Sequence, residues 1–229
     1  MVKRIVMLGS ISFMLLGTGI SFAQFGNLQG MLGSAASKVT GGGVSINDLG
    51  SSRDQAISDY LASTKELDIS LEKAAEAFGV KKEVLEKLAV VESLKEGNIN
   101  DNDLDKARQS SQEAQAIIAQ KMKETSAPSA EDKALLAESM LHLAIGIQKD
   151  IVLIGTIKNL TTQAQSAMTS ASPMEIMKVK DITATAFTLA KAVPMDLGLE
   201  KSILGSYIEY AKANNISTPA NASNLLGGE

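Results

Sequence analysis

The sequence predicts an all-α fold, a bundle of about five to six helices around one long apolar central helix. Three observations predict it. Apolar residues recur at intervals of three and four along most of the chain, and no stretch keeps the alternation that a half-buried strand requires. The apolar content is Ala, Leu, Ile, Val and Met, with no Trp and only five Phe and three Tyr in 229 residues, a palette weighted to good helix formers. Capping side chains, glycines and prolines punctuate the apolar runs where helices start and stop. No internal repeat of fixed period is apparent.

Residues 1–23 precede that bundle and have a different texture. Lys3 and Arg4 give a basic start, residues 5–20 are uncharged and mostly apolar, and Ser21 and Ala23 place small residues before Gln24. This is the three-part pattern of a secretory signal peptide, with cleavage expected after Ala23 and a periplasmic or secreted mature protein. Gly9, Gly17 and Gly19 make the run a poor anchor, so no integral membrane span is expected after cleavage. In residues 24–53, glycines at 26, 30, 33, 41, 42, 43 and 50 sit among Ser, Asn and Gln. Ordering so many glycines costs backbone entropy, and the segment reads as a flexible leader. Gly41-Gly42-Gly43 lacks the Lys-Ser/Thr and the preceding strand of a phosphate-binding loop.

The helical domain is expected over residues 54–215. Its first helix follows Ile57, Tyr60, Leu61, Thr64, Leu67, Leu71, Ala74, Ala75 and Phe78, ended by Gly79. A shorter one spans 81–95, closed by Gly97. A polar outer helix, 104–124, follows the N-cap candidates of residues 100–103. Ser129 with Asp132 resembles a capping box and opens the long helix 130–170, the most apolar element. Glu138, Lys149, Asp150 and Lys158 interrupt that helix too often for a membrane span, so it is expected at the bundle centre. Gly146 and Gly155 mark close packing or a kink. Ser172-Pro173-Met174-Glu175 opens a fifth helix that Pro194 is expected to stop, and a sixth covers 197–213. Residues 216–229 read as a disordered tail.

Composition excludes several function classes. There is no cysteine, hence no disulfide, no thiol catalysis, no thiolate metal site and no lipid-attachment cysteine. The formal net charge is −4 and becomes two charges more negative once Lys3 and Arg4 leave; the longest basic cluster is Lys81-Lys82. Nucleic-acid binding needs clustered Lys or Arg and is not expected. Aromatic poverty argues against sugar-stacking platforms.

Few residues qualify as candidate chemistry. His142, the one histidine, lies four residues after Glu138, a spacing that puts an imidazole and a carboxylate on one helix face. Without a third ligand at metal spacing, the pair reads as a boundary histidine bonded to Glu138. Lys149-Asp150 reads as a structural or solvated pair, with a cavity-lining role as the functional version. Residues 98–105 are rich in oxygen ligands but fit no calcium loop: one register puts Leu94 at a ligand position, another puts Lys106 where glycine is required. Asp59 and Glu66, seven apart, read as surface carboxylates. No nucleophile elbow occurs, and the sequons at Asn159, Asn215 and Asn221 matter only in a glycosylating host. Met31, Met122, Met140, Met168, Met174, Met177 and Met195 read mainly as core filling, with an adaptable binding surface as the alternative.

No catalytic, cofactor-binding or metal-binding residue is therefore assigned, and no cofactor is expected. The expected function is that of an exported, non-enzymatic protein-interaction or assembly module with an envelope protein partner. A carrier of an apolar ligand or lipid, using a cavity beside the long helix, is the alternative, and an enzyme stands a distant third.

Overall fold

The computed structural model describes residues 45–89, 91, 94 and 99–227. The expected signal peptide and residues 24–44 of the expected leader lie outside the described residues. The fold is all-α, with no strand among the described residues. Among the described residues six helices follow in order: α1 Ile46–Ala77, α2 Lys81–Leu88, α3 Asp101–Glu124, α4 Ala130–Ser170, α5 Pro173–Ala213 and α6 Ala222–Leu226. The long apolar helix expected at 130–170 is α4.

Each long helix starts where a side chain satisfies its free N–H groups. Ser45 caps α1, accepting from the Asp48 N–H at 3.2 Å. Asn100 caps α3, accepting from Asp103 N–H at 3.0 Å, so the oxygen-rich segment before α3 serves as a cap. Ser129 and Asp132 form a reciprocal capping box at α4. At α5, Glu175 reaches back to accept from both the backbone N–H and the hydroxyl of Ser172. Gly79, at φ +68°, closes α1 as a Schellman motif: Val80 N–H donates to Ala75 O and Gly79 N–H to Glu76 O.

Several boundaries differ from the sequence reading: the helix expected over 81–95 ends at Leu88, and the one expected from 104 starts at Asp101, directly after its cap Asn100. Three differences are larger. The expected leader was to run through residue 53, but residues 46–53 belong to α1, where fully buried Leu49 offsets the entropic cost of Gly50. Pro194 does not stop a helix; α5 runs through it. Proline removes the hydrogen bond to the carbonyl of residue 190, but Ala190 and Pro194 both lie on the exposed face, where water can serve that carbonyl. Buried Leu189, Ala192, Val193, Ile203 and Leu204 hold the two halves on one packing line. Residues 216–229 were expected to be disordered, yet Ile216 and Ala222 are buried and α6 packs on α4 and α5. Asn215, at φ +53°, makes the turn that lets Ile216 N–H reach Ala211 O at 2.9 Å and folds the Ile216 side chain back.

The core has a period that the apolar pattern alone conceals. Leu49, Ala56, Ser63, Ser70 and Ala77 are buried on α1, each seven residues from the last. On α4 the stripes are Leu136, Leu143, Asp150, Ile157, Ala164 and Ser139, Gly146, Leu153, Leu160, Ala167. On α5 they are Val179, Ala186, Val193, Glu200, Tyr207, with Ile182, Leu189 and Ile203 on the companion stripe. Seven-residue spacing of buried positions gives knobs-into-holes packing between long, nearly aligned helices. α1 and α4 are antiparallel: Ser70 faces Ser139, and Ser63 faces Gly146. α3 runs alongside α5 in the same direction, pinned by Asp101 to Thr188, Arg108 to Asp196 and Tyr207 to Gln115. Among the described residues α4 is also the one helix long and apolar enough to cross a membrane, by length and composition; here its core stripes pack against α1 and α5.

Candidate functional site

The polar members of these stripes come together as a seam through the middle of the bundle. At one end, Ser70 and Ser139 hydroxyls lie 2.9 Å apart, and Ser139 also donates to Ser70 O at 2.9 Å. One turn on, Glu66 receives two partners from α4: His142 Nδ1 at 2.7 Å from Oε2, and Lys149 Nζ at 2.7 Å from Oε1. A carboxylate only accepts, so Nδ1 carries the proton. Burial pushes the Glu66 carboxyl up, but the hydrogen bonds from His142 and Lys149 outweigh it and hold the group below its usual range.

Further along, three more acids converge. Asp150 on α4 and Glu200 on α5 are each 1% exposed, and Asp196 lies one turn before Glu200. Asp196 is paired: Arg108 Nε donates at 2.6 Å and Tyr60 hydroxyl at 2.9 Å, while Arg108 also donates to Asp105 at 2.8 Å. Burial still leaves the Asp196 carboxyl above its ordinary value, with Arg108 and Tyr60 working against the shift. Among the described residues, no ion pair reaches Asp150 or Glu200. Burial pushes Asp150 up to about 7, opposed by the Ser63 hydroxyl and reinforced by Asp196. Burial, then the charges of Asp150, Asp196 and Glu66, pushes Glu200 well above the carboxylate range. Asp150 Oδ1 and Glu200 Oε2 are buried without a hydrogen-bond partner. Residues Asp150 and Glu200 line a cavity of about 20 Å³ together with Tyr60, Ser63, Arg108 and Asp196. Gly146 makes room for this layer: a Cβ there would sit 2.9 Å from Glu200 Oε1.

These positions correct three readings of the sequence. His142 does not bond Glu138; it turns to Glu66, and Glu138 pairs with Lys73 at 2.8 Å on the surface. The same-face acid–base pair is therefore not formed. Glu66 is not a surface carboxylate, whereas Asp59 is exposed and accepts from Gln55. Lys149 and Asp150 part company, Lys149 to Glu66 and Asp150 into the buried layer. Glu200 and Asp196 were not singled out in the sequence at all, although both fall on the seven-residue stripes of α5. No group of three or more His, Asp and Glu able to hold a metal ion occurs among the described residues.

Two open grooves flank the bundle. One, about 280 Å³, runs between the outer faces of α4 and α5 and is lined by Ile154, Ile157, Lys158, Thr161, Thr162, Leu189, Ala190, Val193 and Pro194. Ile151, 47% exposed, lies one turn before Ile154 on α4, and Phe187, 52% exposed, stands one turn before Ala190 on α5. The other, about 620 Å³, lies along α1 and α2, with Leu61, Ile69, Leu85, Leu88, Val91 and Leu94 among its walls and Lys65, Asp68 and Glu72 on its polar side.

No family model, curated protein or solved structure matches this chain.

Proposed function

We propose that this chain is an exported, non-enzymatic interaction module that docks an envelope protein through the outer groove between α4 and α5. The observation that carries this reading is the exposed apolar strip of Ile151, Ile154, Phe187, Ala190 and Pro194 along two parallel rims. Large side chains left in water beside an apolar furrow are the usual mark of a contact surface. A furrow between two antiparallel helices suits an amphipathic helix laid into it, with anchors one turn apart. Lys158 at its edge favours an acidic flank on the partner. The test is a photo-crosslinking residue at position 187, with a second at exposed Glu131 as control, in cells of the native host. One protein adduct at 187, absent at 131 and abolished by Ile154→Asp, supports the reading; adducts to lipid alone, or equal labelling at both positions, contradict it.

A carrier of an apolar ligand is the second reading, favoured by the groove along α1 and α2. Its volume of about 620 Å³ lies in the range of small-molecule sites. A lipid or other apolar molecule retained by the purified protein and lost on Leu88→Glu supports it; a bare protein speaks against it.

A further inference from the structure

We propose that Asp150 and Glu200 form a buried proton-holding pair that couples the packing of α4 against α5 to pH. The argument is geometric first. Both side chains come from core stripes of facing helices, both are fully enclosed, each carries an oxygen without a hydrogen-bond partner among the described residues, and both residues line the same cavity. At about 20 Å³ the cavity has room for about one water molecule, which could bridge the two carboxyls. Two carboxylates in such a space cannot both ionise without a cation, because burial and mutual repulsion both oppose the second charge.

Among the described residues, the groups named below do not supply that cation. From α1, Tyr60 is committed to Asp196, and Glu66 adds negative charge. From α3, Arg108 is spent on Asp196 and Asp105. On α4, His142 and Lys149 engage Glu66. On α5, Asp196 contributes a further negative charge, and α6 carries no ionisable side chain. A proton is thus what keeps the layer neutral. When it leaves to solvent, a carboxylate is stranded between α4 and α5 and the contact weakens. The direction follows from the raised carboxyls of Asp150 and Glu200: the folded state binds protons more tightly than the unfolded chain, so stability is full in acid and falls as pH climbs from about 4 towards 7. This device stands independently of the docking proposed above.

The test is thermal unfolding of the wild-type protein between pH 5 and pH 8, with amide hydrogen exchange at each pH. The expected result is a fall in Tm of about 5–10 °C, the linkage expected for a shift of this size in a domain of this length. Exchange should accelerate around residues 146–153 and 196–203. Asp150→Asn and Glu200→Gln should flatten the pH profile and raise Tm at pH 8. Should either variant fail to fold, the wild-type profile still decides. A wild-type Tm that does not change over this range overturns the proposal, as does a slope in both variants as steep as that of the wild type, since Asp196 and the remaining carboxyl account only for a shallower one. So does a rise in Tm at pH 8 with sodium that tetramethylammonium at the same ionic strength does not give, because a metal cation and not a proton would then occupy the layer.

Discussion

Replacing Arg108 with alanine removes the one cation in contact with Asp196. Arg108 Nε is 2.6 Å from Asp196 Oδ1, and its side chain is only 8% exposed. Breaking a buried pair from one side strands the other charge, at a cost of about 3–5 kcal/mol. Tyr60 still donates to the second oxygen at 2.9 Å, so the lower end, about 3 kcal/mol, is expected. For a domain of this size that corresponds to a Tm lower by about 10 °C. Urea unfolding followed by circular dichroism measures it. The loss must depend on pH: burial already raises the Asp196 carboxyl and Arg108 opposes the shift, so without Arg108 the group rises further. A carboxyl raised in the folded state keeps its stability in acid and loses it as pH increases. The deficit should therefore be small near pH 4 and full at pH 8. Adding Asp196→Asn should recover on the order of 1–3 kcal/mol at pH 8, since the two sites are directly coupled. A deficit under about 1 kcal/mol, the range of an exposed pair, would show that Arg108 and Asp196 do not act as a buried pair. So would a deficit equal at both pH values.

Two helical glycines separate packing from propensity. Gly155→Ala meets nothing within 4 Å and should stabilise by about 0.5–1 kcal/mol, whereas Gly146→Ala brings a Cβ to 2.9 Å from Glu200 Oε1 and should destabilise by about 1 kcal/mol net; urea midpoints of the two variants should move in opposite directions. His142→Gln leaves Lys149 on Glu66 and should cost at most about 1.5 kcal/mol at pH 7. Because the Glu66 carboxyl is depressed, that difference should begin to shrink as pH falls below the ordinary value of 4.5 and vanish once pH passes below the lowered value of the folded protein, which a pH series of unfolding curves will show.

Much of the helical pattern was readable because capping chemistry is local. Ser129 with Asp132, Asn100 and Gly79 all sit where their neighbours within three residues require them. Pro194 misled for the same reason: its local effect is to break a helix, and only the solvent exposure of that face and the packing on either side let α5 continue. The polar seam was concealed differently. Ser63, Ser70, Ser139, Asp150 and Glu200 occupy core positions, so a scan for apolar residues breaks at each of them. The seven-residue spacing was present, as Ala186, Val193, Glu200 and Tyr207 show, but it emerges only when a buried polar residue is allowed to count. The partners of the seam come from helices tens of residues apart, as with Glu66 and His142 or Arg108 and Asp196, and no spacing along one helix encodes them. Such polar layers suit a role in register: a one-turn slip of α4 past α1 or α5 would bury these groups against apolar side chains.

The seam fixes the arrangement of the helices, and the outer groove of α4 and α5 is where the account places function. Native mass spectrometry of the protein recovered from cells of its native host tests that placement most directly. Docking in that groove should give a complex with one protein partner at fixed stoichiometry, lost in Ile154→Asp while the circular dichroism spectrum is unchanged. A co-purifying lipid in place of that partner, or a partner retained by the variant, would contradict it.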